Sequence, residues 1–266
     1  MEINKYVPFI STLVMALFVV FVLRRYFATK KVHFLFWGIG LAMFGAGSFA
    51  EAYFAFGWNK WIFFLWYLCG AALTAAWIGH GTLKLLVRKK WADGATILLV
   101  LTSLWTTYLM FQVMPDLDAS LFNKDIPISE QYATKKVKAG DSLPEGVETA
   151  VITYKGEEVT IIPRIMPYKA RVRSMTPWLN IYGMLTLVGG AIYSGFLFWR
   201  KRVMPHRVIG NVLIAAGGLL IASASSLTRA GYGQFLYLGE LFSAILMFWG
   251  FIVSSKSSQG DQPGKA

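Results

Sequence analysis

Residues 33–57 read HFLFWGIGLAMFGAGSFAEAYFAFG, a run with one full charge, Glu51. A helix needs about 20 mostly apolar residues to cross the roughly 30 Å hydrocarbon core of a bilayer. This stretch is long enough, so it reads as a transmembrane helix, and its lone acid becomes a question. Six more runs of the same kind lie at 6–27, 61–86, 92–114, 178–200, 207–228 and 234–254. The expected fold is therefore an all-α integral membrane protein, a bundle of seven transmembrane helices.

Composition agrees. The chain is 56% hydrophobic, 16% aromatic and only 15% charged, which is far from an ordinary soluble domain. Its formal net charge of +12 would suggest nucleic acid in a soluble protein. Here the bases sit in short clusters between apolar runs, so they read as topology signals and no nucleic acid is expected. Arg24, Arg25, Lys30 and Lys31 follow span one, and Lys84, Arg88, Lys89 and Lys90 follow span three. Arg200, Lys201, Arg202 and Arg207 follow span five, with Lys256 and Lys265 after span seven. Only Lys5, Lys60 and Arg229 fall in the short segments opposite. The positive-inside rule then places the N-terminus outside and the C-terminus in the cytoplasm, in a cell membrane. The leading MEINK is nearly neutral and the bases come after the first apolar run, so span one is not read as a cleavable signal.

The expected organisation is helices one to four in 1–114, an extracytoplasmic cap in 115–177, helices five to seven in 178–256, and a cytoplasmic tail in 257–266. The cap is long for a loop, which points to some structure of its own. Within it, TAVITYKGEEVTIIP (149–163) resembles a β-hairpin: two β-rich runs around Lys155, Gly156, Glu157 and Glu158. Val151 and Thr153 are expected to pair near Val159 and Ile161, with the hairpin as the core of the cap.

An internal repeat also shows. VPFISTLVM (7–15) and TPWLNIYGM (176–184) align in step, as do FLWYL (64–68) and QFLYL (234–238). Gly40 and Gly47 match Gly210 and Gly217 at nearly the same offset. Spans one to three and five to seven would form a 3+1+3 parallel repeat, with span four as linker. In layout this is similar to the seven-span sugar exporters, although their proline–glutamine motif is absent. The glycines at seven-residue spacing suit close helix packing.

Glu51 lies seven residues before Trp58, near the outer end of span two. Glu240 lies six residues after Gln234, near the outer end of span seven. At 1.5 Å per residue both sit about 10 Å below the outer boundary, with Arg229 the nearest cation in the sequence. An intramembrane acid costs about 2.5–3.5 kcal/mol at a span centre, so it faces protein or water. One reading is an outward-facing site for a cation, a proton or a basic solute, formed by Glu51, Glu240 and Arg229. The other is an arginine–carboxylate pair that only locks helices together. His80, His33 and His206 are too scattered for a metal set and read as packing or interfacial residues.

Several chemistries lack their residues. Cys69 is the only cysteine, so no internal disulfide forms. Span seven has no lysine for a retinal Schiff base, no paired histidines suggest haem, and phosphate-loop and hydrolase motifs are missing. No cofactor and no enzymatic activity are expected. The favoured reading is a small-solute or ion transport or permeation protein, seated in a lipid bilayer, with a membrane-protein partner or a second copy as candidate associates. The alternative is a membrane sensor or an accessory subunit of a membrane complex.

Overall fold

The computed structural model describes residues 3–137, 148–202, 204–229 and 235–255, and of residues 3–5 and 229 the backbone alone. Seven helices are long and apolar enough to cross a membrane. They are α1 (Ile3–Thr29), α2 (Val32–Phe54), α3 (Lys60–Leu86), α4 (Lys89–Val113), α5 (Met175–Arg200), α6 (Pro205–Arg229) and α7 (Leu236–Ser254). Their stops are local. Lys30 turns the chain between α1 and α2 at φ 54. The Asn59 side chain caps α3 by accepting from the Trp61 and Ile62 amides at 2.9 and 3.2 Å. Pro205 opens α6, where its missing N–H is no loss.

Six helices close into a ring. α1 packs on α2, α2 on α3, α3 on α5, α5 on α6, α6 on α7, and α7 back on α1. α4 stands outside the ring against α3. Lipid gives helices no hydrophobic reason to associate, so close backbone approach has to supply the attraction. Glycines permit it: a Cβ on Gly47 would lie 2.6 Å from the Gly70 Cα, and one on Gly210 would lie 2.6 Å from the Gly250 carbonyl oxygen.

The surface is inverted relative to a soluble protein. Leu13, Leu98, Leu104 and Leu185 all stand exposed on the outer faces of helices, where water would demand polar side chains. On α5, exposed Trp178 and Trp199 stand 21 positions apart along the helix, about 31 Å. That separation matches the hydrocarbon thickness between two aromatic belts.

The segment between α4 and α5 forms the cap. It contains a helical turn at Ile128–Gln131 and three strands, β1 (Lys135–Lys136), β2 (Ala150–Tyr154) and β3 (Glu157–Ile162). The sheet is antiparallel in the order β1-β3-β2. The hairpin expected from the sequence forms, with Val151 opposite Thr160 and Thr153 opposite Glu158. Its turn is tighter than expected. Lys155 and Gly156, at φ 57 and 86, make a two-residue turn whose twist matches the strands, and this releases Glu157 and Glu158 into β3. The hairpin is also not the core of the cap. The fully buried cap residues are Ile128, Gln131, Ile165, Met166 and Val172, packed towards the bundle. The Gln131 side chain anchors that layer, accepting from the Asn123 amide and donating to the Asn123 carbonyl, both at 2.7 Å.

Candidate functional site

Span three is not the regular helix its sequence suggests. Between Trp66 and Leu73 it winds as a π-helix, a wider turn that often accompanies a functional site. Two aromatics, Trp66 and Tyr67, open this segment near the cap end of the bundle. Trp66 Nε1 donates to Glu51 Oε1 at 3.0 Å. The Tyr67 hydroxyl bonds the Thr176 hydroxyl at 3.0 Å, tying α3 to α5. Tyr132 of the cap packs its ring 5.1 Å from Trp66 and 6.1 Å from Tyr67.

Glu51 is 6% exposed, and its carboxyl lies within hydrogen-bonding reach of the Glu240 carboxyl. The two acids at matched depth in α2 and α7 therefore meet. Glu240 keeps partial exposure. Two carboxylates this close repel unless a proton or a cation lies between them. Glu51 Oε2 has no hydrogen-bond donor among the described residues. One turn towards the cap, buried Tyr237 brings its hydroxyl to the Ile128 backbone and lies near both acids and Glu130. The cap thus closes over the pair from one end.

On the other side the ring is filled. Leu41, Phe44, Ile78, Leu187, Ala244 and Met247 pack into one apolar cluster contributed by α2, α3, α5 and α7. The acid pair lies between the cap turn at one end and this plug at the other, with Glu240 still partly exposed.

Arg229 ends α6, but its side chain falls outside the described residues, so its pairing with either acid is not decided. His80 is fully buried and bound on both ring nitrogens, to the Tyr182 hydroxyl at 2.7 Å and the Thr96 hydroxyl at 2.9 Å. That is a packing role joining α3, α4 and α5. Lys84 pairs with Asp93 at 2.5 Å between the adjacent ends of α3 and α4. Trp66, Tyr132 and Tyr237 were not singled out from sequence. Tyr237 stands three residues before Glu240, on the same helical face, and could have been.

Fold and site together define a class: an α-helical bundle of membrane-spanning dimensions that encloses an acidic pair beneath a small β-containing cap. No known family, no curated protein and no solved structure is matched by this chain.

Proposed function

We propose that this chain is a small-solute or ion transport protein in which Glu51 and Glu240 bind the coupling or permeating cation, entering from the cap side. The observation that carries this reading is the acid pair: two carboxyl groups within reach of each other, with one oxygen lacking a donor among the described residues. A purely structural acid would be fully hydrogen-bonded, because an unsatisfied polar group in a membrane interior is costly. The ring supports the transport reading further. Its contacts α3–α5 and α7–α1 are what a two-fold axis would generate if α1–α3 and α5–α7 were repeats, and two such halves can rock about a central site. In this reading the cap and N-terminus lie outside the cell membrane, and Arg229 guards the cap side.

The test is flux. Purified protein in proteoliposomes is expected to pass protons or sodium down an imposed gradient, and Glu240→Gln is expected to abolish that flux while the protein still elutes as a folded species. Arg229→Gln is expected to change the rate without abolishing it. Flux no greater than in empty liposomes, for both ions, would overturn the reading. Loss of folding in both Glu→Gln variants without any flux in the parent would assign the pair to helix locking.

A further inference from the structure

Six buried side-chain polar atoms have no partner among the described residues, and four of them belong to α1, α2 and α7: Ser11 Oγ, Ser48 Oγ, Glu51 Oε2 and Ser243 Oγ. The three serines are 1%, 2% and 0% exposed. A buried hydroxyl in a helix ordinarily turns back onto the carbonyl one turn earlier. Elsewhere in this bundle that is the habit: Thr12, Thr96, Ser103, Thr106, Thr186 and Thr228 each donate to the i−4 carbonyl. Ser11, Ser48 and Ser243 do not.

Their depths coincide. α1 and α2 run antiparallel, with a Cβ on Gly45 lying 3.3 Å from the Met15 Cβ. Ser11 is four residues capward of Met15 and Ser48 is three residues capward of Gly45, so the two serines share a level. α1 and α7 run parallel, with Phe18 ring centroids 4.9 Å from Phe248 and 5.7 Å from Phe251. Seven residues capward of Phe18 is Ser11, and seven capward of Phe248 and Phe251 are Leu241 and Ala244, so Ser243, between those two, stands at the level of Ser11. Glu51 and Glu240 each lie one turn further towards the cap, on the faces of Ser48 and Ser243. Ser11 lies on the buried face of α1 with Met15, Phe18 and Val22.

We propose that Ser11, Ser48 and Ser243, together with Glu51 and Glu240, form an oxygen-lined site for one dehydrated sodium-sized cation at the junction of α1, α2 and α7. The inference rests on the transport reading above and names the ion that its acid pair takes.

The chemistry selects among ligands. Every inward polar atom in the set is an oxygen, which suits a hard cation and not a soft metal. Among the described residues no cationic side chain pairs with either acid, so a water alone would leave the pair uncompensated. Calcium takes six to eight oxygens, chiefly carboxylates and carbonyls, and three of the five donors here are neutral hydroxyls. Two carboxyl groups this close repel when ionised, and a monovalent cation seated between them offsets that repulsion.

The experiment is thermal unfolding of the full chain in detergent, with sodium chloride against choline chloride at equal ionic strength, and with potassium and calcium chloride as comparisons. Sodium is expected to raise Tm by roughly 5 °C at about 100-fold above Kd, with a smaller rise in potassium. Ser48→Ala and Ser243→Ala are expected to lose the sodium rise while unfolding at or above the parent temperature in choline, because each removes a buried unpartnered hydroxyl. Glu51→Gln keeps an oxygen for Trp66 and is expected to lose the same rise. No sodium-specific rise, a rise that survives both serine variants, or a response to calcium or potassium as large as to sodium would overturn the site. Sodium binding without flux would leave this site standing and overturn transport. Proton flux without sodium binding would do the reverse.

Discussion

Two buried polar junctions lie within this bundle, and they are built on opposite principles. At the α3–α4–α5 junction, His80 has both ring nitrogens bound. Thr96 donates its own hydrogen to the Ala92 carbonyl, so His80 Nε2 donates to Thr96 and Nδ1 accepts from the Tyr182 hydroxyl. No donor or acceptor is left over, and three helices are pinned. At the α1–α2–α7 junction, one Glu51 oxygen is held by Trp66 while the other, with three serine hydroxyls, has no partner among the described residues. In a low-dielectric interior a satisfied network rigidifies and an unsatisfied one is costly. The first junction is a satisfied clamp, and the second is the one proposed above to bind a cation.

The comparison can be broken by substitution. The largest effect is expected at Gly47, where α2 of the second junction packs on α3 of the first. Gly47→Leu drives a side chain into the Gly70 backbone, which cannot rotate away. A loss of about 3 kcal/mol or more is expected, seen as aggregation or a low unfolding temperature in detergent whichever salt is present. Next comes the clamp. His80→Ala removes both bonds and leaves the Tyr182 hydroxyl without its partner, for an expected loss of about 2–4 kcal/mol. The loss should be equal in sodium and in choline. A sodium-dependent loss at His80 would erase the distinction between the junctions.

Trp66→Phe is the sharper probe of the second junction. It keeps most of the packing and removes the Trp66 Nε1 donor to Glu51 Oε1. The expected loss is about 1–3 kcal/mol in choline. Sodium should restore part of it, since a bound cation compensates the freed oxygen; equal losses in both salts would count against a cation there. The smallest effect is expected in the cap hairpin. Gly156 sits at φ 86, where a side chain is strained by about 1 kcal/mol. Gly156→Ala should fray the β2–β3 turn, measurable as faster local proteolysis, without altering sodium response or flux. A change in either would mean that the hairpin, and not the Ile128–Gln131 turn, governs the covered end.

Part of the site was legible in the chain. Glu51 and Glu240 stand out as the only acids inside spans two and seven, and their depths follow from counting residues. A mirrored signal stood beside them unread: Ser48 precedes Glu51 by three residues and Ser243 follows Glu240 by three, so each helix carries an acid and a hydroxyl on one face. Ser11 carried no such mark. Trp66 was visible only as one aromatic among many, since nothing local in WYLCGAAL announces a π turn.

What the sequence alone determined is whatever is local to one helix. The spans, the presence of the 149–163 hairpin and the depth of each acid depend on run length, periodicity and residue type, and each segment specifies these without reference to its neighbours. The tertiary structure decided which helices touch. Seven apolar helices of similar length can pair in many ways, because lipid offers no hydrophobic preference among them. The ring closes through particular glycine contacts and a π-distorted α3, and that closure alone brings Glu51 to Glu240, lays the cap turn over them, and sets three serines from three helices at one level.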